Sequence, residues 1–143
     1  MQLLNLPITV AVGPLVTNNF QLRGGPGGLG NITMLLQGNF TYGSGGTTAD
    51  AWVQTSLDGG VTFTDIANFH FALVSARFMY NLSSLTLHVT EFTTPTDGTL
   101  AANTSVDGIL GSLYRVKYTT TGTYAGGTVM RVDAIANGLA ALP

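Results

Sequence analysis

The 143-residue chain contains no cysteine. Disulfides, thiolate metal sites and a cysteine nucleophile are therefore excluded, while the redox compartment stays open. Charge is the second scarcity. Five Lys and Arg with seven Asp and Glu amount to 8% of the residues, against about 25% in an average soluble domain. Arg23, Arg77, Arg115, Lys117 and Arg131 are scattered and the net charge is −2, so no basic stripe points to nucleic acid. No apolar run is long enough to span a bilayer. The opening MQLLNLPITVAVG has no basic stretch and is interrupted by Pro7, unlike a secretory leader. Runs of good helix formers are missing as well.

What is present is apolar and small. Hydrophobic residues make up 45%, with Trp52, five Tyr and seven Phe, enough to fill the core of one domain of this length. That content with low charge argues against disorder. Nineteen Gly and 21 Thr dominate the remainder, a balance that favours an all-β chain. Strand patterns occur at residues 3–12 and 15–23 (flanking Gly13-Pro14), 32–42, 49–56, 61–66, 69–74, 78–80, 85–92, 112–120 and 128–135. A bend or bulge is expected at Gly38, inside the third of these. In LYRVKYT, Tyr114, Val116 and Tyr118 share one face and Leu113, Arg115 and Lys117 the other. GGPGGLG at 24–30 reads as a loop, GSGG at 43–46 as a turn, and 94–108 as the longest polar connection. Eight to ten short strands in one unit predict a single β-sandwich over 1–143, jelly-roll-like, with extended arms at 1–7 and 137–143.

So few charges leave Thr, Ser, Asn and Gly to cover the exposed positions. One explanation is a surface covered in a permanent assembly, since interface cores are depleted of charge. The other is a Thr-rich sandwich that tolerates low charge. The uncharged ends, with Leu3, Leu4, Leu6, Leu139 and Leu142, are candidate assembly contacts; alternatively they pack on their own domain.

TSLDGGVTF carries Ser56, Asp58, Gly60, Thr62 and Phe63 in the spacing S-x-D-x-G-x-T-[WF]. This is the Asp-box, known from sialidase propellers and secreted carbohydrate-active proteins. It occurs once, and a propeller needs at least four blades of about 40 residues. The pattern also has a mechanical reading: an Asp side chain binding backbone N–H groups two residues on, glycines supplying positive φ, and an aromatic packing under the turn. None of these three requires a substrate.

Other chemistry-bearing patterns are weaker. Gly25, Gly27 and Gly30 match G-x-G-x-x-G, but NITMLLQGNF follows where a nucleotide site needs a helix. His70 and His88 lie on strand patterns, distant from further ligands, so neither a metal nor another cofactor is expected. Asp58, Asp97 and Asp107 belong to turns, leaving Asp50, Asp65, Glu91 and Asp133 as carboxylates for acid–base work. No nucleophile elbow accompanies them, and no catalytic residue is assigned. N-x-[ST] triplets at Asn31, Asn39, Asn81 and Asn103 are expected by chance in such a composition.

The stretch LLQGNFTYGSGGTTADAWVQTSLDGGVTFTDIANFHF, with SAR, TPTDGTLAANTSVDGILGSLYRVKY and TGTYAGGTVMRVDAIA after it, resembles a family of small structural proteins of tailed bacteriophages. The resemblance spans residues 32–136, and Phe63 stands where many relatives carry Trp. It implies a non-enzymatic virion component made in the bacterial cytoplasm, with no family site residues to transfer. A head decoration or cement protein at the capsid surface is the expectation, its partners the major capsid protein and further copies of itself, for example as a trimer. A neck or tail component is the alternative within the particle. A carbohydrate-binding module using Trp52, Tyr42 or Tyr124 as a sugar platform is the alternative of another class.

Overall fold

A computed structural model describes residues 1–21, 31–86 and 93–138. Eleven strands form, two of them short and not among the expected stretches, one of these inside the GSGG expected as a turn, and there is no helix among the described residues. The strands are β1 (Gln2–Pro7), β2 (Val12–Val16), β3 (Phe20–Gln21), β4 (Asn31–Thr41), β5 (Ser44–Gly45) and β6 (Thr48–Ser56). They continue with β7 (Thr64–Phe71), β8 (Ala76–Ser83), β9 (Leu113–Thr121), β10 (Tyr124–Ala125) and β11 (Val129–Gly138).

Two antiparallel sheets hold the eight longer strands, in the orders β1-β11-β4-β8 and β2-β9-β6-β7; β3 adds to β9, and β5 pairs with β10. Each sheet takes one strand from β1/β2, β4/β6, β7/β8 and β9/β11, so the chain crosses between sheets at every such step. This is the double Greek key of a jelly roll. Alternate side chains meet in between. Met34, Leu36 and Phe40 of β4 and Met130 and Val132 of β11 face Ala51 and Val53 of β6, Phe69 and Phe71 of β7, and Tyr114 and Val116 of β9. The rings of Phe40, Phe71 and Phe78 stack at 5.1 and 5.5 Å between centroids. The face shared by Tyr114, Val116 and Tyr118 is the one turned to the core.

Several expectations give way. Gly38 carries no bulge: β4 pairs with β8 and β11 across it in unbroken register. A glycine sits there because an added Cβ would lie 2.6 Å from Cδ1 of Phe69. The strands expected at 61–66 and 69–74 merge into one strand, β7, which ends at Phe71; 61–63 belong to the turn before it and 72–74 to the connection after it. Gly13-Pro14 lies inside β2, at a register irregularity on a sheet edge, where proline removes no needed donor. Residues 87–92 of the strand expected at 85–92, and the GGPGGLG loop, lie outside the described residues.

The expected N-terminal arm is instead β1, the edge strand beside β11. A bulge between Gln2 and Leu4 turns two successive side chains inward, burying both Leu3 and Leu4, while Leu6 packs against the core. These three leucines are therefore core-directed in the single chain. Leu139 and Leu142 lie outside the described residues.

Candidate functional site

The Asp-box joins β6 to β7 at one end of these strands, and four of its five motif residues, Ser56, Asp58, Gly60 and Thr62, come together. Ser56 Oγ donates to Asp58 Oδ1 at 2.8 Å and accepts the Gly60 N–H at 2.8 Å. Asp58 then accepts the N–H groups of Val61 at 3.1 Å and Thr62 at 2.9 Å, and the Thr62 hydroxyl at 2.6 Å. The backbone partners lie three and four residues on, not two, because Gly59 and Gly60 both take positive φ, 73° and 96°, and widen the loop. Hydrogen bonds from the Thr62 hydroxyl, the Thr62 N–H and Ser56 hold the Asp58 carboxyl at about 2, below its usual 3.8. Phe63 is half-buried rather than tucked under the turn, and the Arg115 guanidinium stands 3.9 Å from its ring centroid. Beside the turn, Thr55, Leu57, Asp58, Thr62, Phe63, Thr64 and Pro95 line an open cleft of about 390 Å³.

A second constellation was not singled out in the sequence. Val53 pairs with Ala67 but Gln54 pairs with Asp65, so Ile66 is an extra residue in β7. That bulge moves Asp65 off the core face, where the alternation of Ala67, Phe69 and Phe71 would place it, onto the outer face beside Gln54. There the buried Asp65 carboxylate accepts the N–H groups of Gly98 (2.8 Å), Thr99 (3.1 Å) and Leu100 (3.1 Å), and Gln54 Nε2 at 2.7 Å. Gly98, with φ 75°, lets three consecutive N–H groups converge on one carboxylate.

The polar connection 94–108 is thereby laid flat over the outer face. Trp52 Nε1 donates to Leu100 O at 3.1 Å, Asn103 Oδ1 accepts the His70 N–H at 2.9 Å, and Asn68 N–H donates to Thr104 O at 2.9 Å. Asp107 closes the connection by accepting the Ser83 N–H at 2.6 Å and the Thr86 hydroxyl at 2.7 Å. Asp97 binds Gln54 and Lys117, with Arg115 3.6 Å away; those hydrogen bonds hold its carboxyl below the usual range. The signal available in the sequence was an acid inside a strand pattern, at Asp65, with an Asp97-Gly98 turn downstream.

The remaining candidates are placed as follows. His70 Nδ1 lies 2.8 Å from Asp50 across β6 and β7, and His88 and Glu91 lie outside the described residues. Asp133 pairs with Arg131 at 2.7 Å. Tyr124 is buried, while Tyr42 and Trp52 are half-buried, Tyr42 donating its hydroxyl to Gly45 O. None of these three rings stands out as a flat exposed platform. Chemically, the described acids do one kind of work: each ties one segment of chain, or a charged partner, to another. Comparison with known protein families, with curated proteins and with solved structures finds no match to this chain.

Proposed function

We propose that this chain is a non-enzymatic structural protein of a tailed-bacteriophage particle, a head decoration or cement protein that binds the assembled capsid and stabilises it. The observation that carries the reading is the commitment of the carboxylates. Asp50, Asp58, Asp65, Asp97 and Asp107 are engaged in bonds that brace turns, loops and strand pairs, and Asp133 pairs with Arg131 along its own strand. A scaffold whose described carboxylates are spent on stiffness, with loops pinned to a jelly roll, suits a part that is held by repeated contacts over a lattice. The resemblance across residues 32–136 supports the same reading. Such a protein binds the assembled shell better than free subunits, and so shifts the shell's stability by mass action.

The test is co-sedimentation of purified protein with assembled, undecorated capsids, followed by melting of the particles. Saturable binding and a raised capsid melting temperature are expected. Failure to bind capsids would overturn the head assignment. Binding to isolated necks or tails would move the protein there. A second reading, glycan binding, is favoured by the open cleft of about 390 Å³ that holds Phe63, threonines and Pro95. Binding on a glycan array without binding to any particle would establish that reading in its place.

A further inference from the structure

Two apolar features of the described surface face different ways. The first is the tip of the Asp-box turn, where Val61 is 82% and Leu57 71% exposed, among the most exposed large apolar side chains described. They stand on either side of Asp58, whose hydrogen bonds fix the turn that displays them. Pre-organisation of this kind lowers the ordering cost of binding. The second is on the outer face of the β1-β11-β4-β8 sheet. Leu35 and Ile135 are cross-strand partners, Met79 is one pair further along beside Gln37, and these three apolar side chains, with Gln37 and the Arg131-paired Asp133, line a groove of about 160 Å³. All three are exposed. Arg77, two residues before Met79 on the same exposed side of β8, has no ion-pair partner among the described residues.

We propose that the Leu57–Val61 tip of one copy seats in the Leu35–Met79–Ile135 groove of the next, with Asp58 brought toward Arg77. The occupant is a second copy of this chain for three reasons. The groove admits a branched aliphatic side chain, and the tip presents two. The tip carries one negative charge; in the groove Asp133 is already met by Arg131, and Arg77, one same-face pair beyond Met79, is a positive charge with no ion-pair partner among the described residues, so the surfaces match in sign. The tip springs from one sheet and the groove lies on the outer face of the other, with the core between them, so a copy cannot fill its own groove. A contact between two different patches is head-to-tail, and it closes into a ring when the rotation per copy allows. The inference rests on the proposed structural role, whose own test is capsid binding. Self-association is measured on the purified chain without capsids, so either can fail alone.

The experiment is analytical ultracentrifugation of the full chain and of two variants. Val61→Asp disables the tip and Met79→Asp the groove; both positions are exposed, so thermal melts are expected to show an intact fold. Wild-type protein should form species above the 14.9 kDa monomer as concentration rises. Each variant alone should associate more weakly by roughly thirtyfold, the loss of one hot-spot side chain. An equimolar mixture should give a 1:1 pair and stop there, because only one intact tip meets one intact groove. Arg77→Glu should weaken wild-type association at low salt more than at high salt. A wild-type chain that stays monomeric, variants that assemble like wild type, or a mixture that gives no pair would each overturn the proposal.

Discussion

Asp65 shows how much one side chain decides here. Its carboxylate is the common acceptor for Gly98, Thr99 and Leu100, and the Gln54 amide it holds also contacts Asp97 and Arg115. A buried acceptor removed from several donors leaves each of them unsatisfied, at about 1–3 kcal/mol apiece before relaxation. Asp65→Ala is therefore expected to destabilise the protein by about 3 kcal/mol, near the upper end of single substitutions. Urea unfolding measures the loss, and hydrogen exchange should show residues 98–104 opening first. An Asp65→Ala protein as stable as wild type would mean that the connection is held by other contacts. The Asp-box turn was legible from spacing alone, since Ser, Asp, Gly and Thr lie within hydrogen-bond reach along the chain. The Asp65 clamp was not, because its partners are 33–35 residues away.

Among the elements, β1 carries the sharpest difference between an apolar end and an arm. Alternation in QLLNLP would place Leu4 and Leu6 together and Leu3 opposite, and only the bulge against β11 buries both Leu3 and Leu4. Leu3→Ala should then cost about 2–4 kcal/mol of folding stability, as for a buried leucine elsewhere. The check is thermal and chemical denaturation of the purified variant. Unchanged stability would show that the single chain does not depend on β1, and would return residues 1–7 to the role of an exchangeable arm. The bulge in β7 works in the same way, turning Asp65 outward and adding Ile66 to the buried set. Strand existence followed from periodicity, whereas bulges depend on the partner strand and are invisible in one segment read alone.

At the level of the whole molecule, scarce charge and committed acids set the response to pH. Asp58 titrates at about 2 in the folded chain against 3.8 for an unperturbed carboxyl, held down first by the Thr62 hydroxyl. Asp97 is also lowered, first by its bond from Gln54. A carboxyl depressed by folding binds protons more readily in the unfolded chain, so its stabilisation is complete above about pH 4 and is lost as pH falls toward 2. Melting temperature should accordingly be flat between pH 5 and 7 as far as these two groups are concerned, and fall below about 4. Asp58→Asn should flatten part of that fall. An identical acid profile for wild type and variant would show that the turn carboxylate does not contribute.

Composition and periodicity by themselves determined the all-β class, the two-faced strands, the shared face of Tyr114, Val116 and Tyr118, and the closed turn at Asp58. These are local properties, set by side chains a few residues apart and by the alternation of a pleated strand. Tertiary structure alone decided which strands share a sheet, the burial of Leu3 and Leu4, the need for glycine at Gly38 against the Phe69 ring, and the pinning of 94–108 by Asp65. Each of those depends on a partner far along the chain, and distance in sequence carries no record of the register that brings the two together.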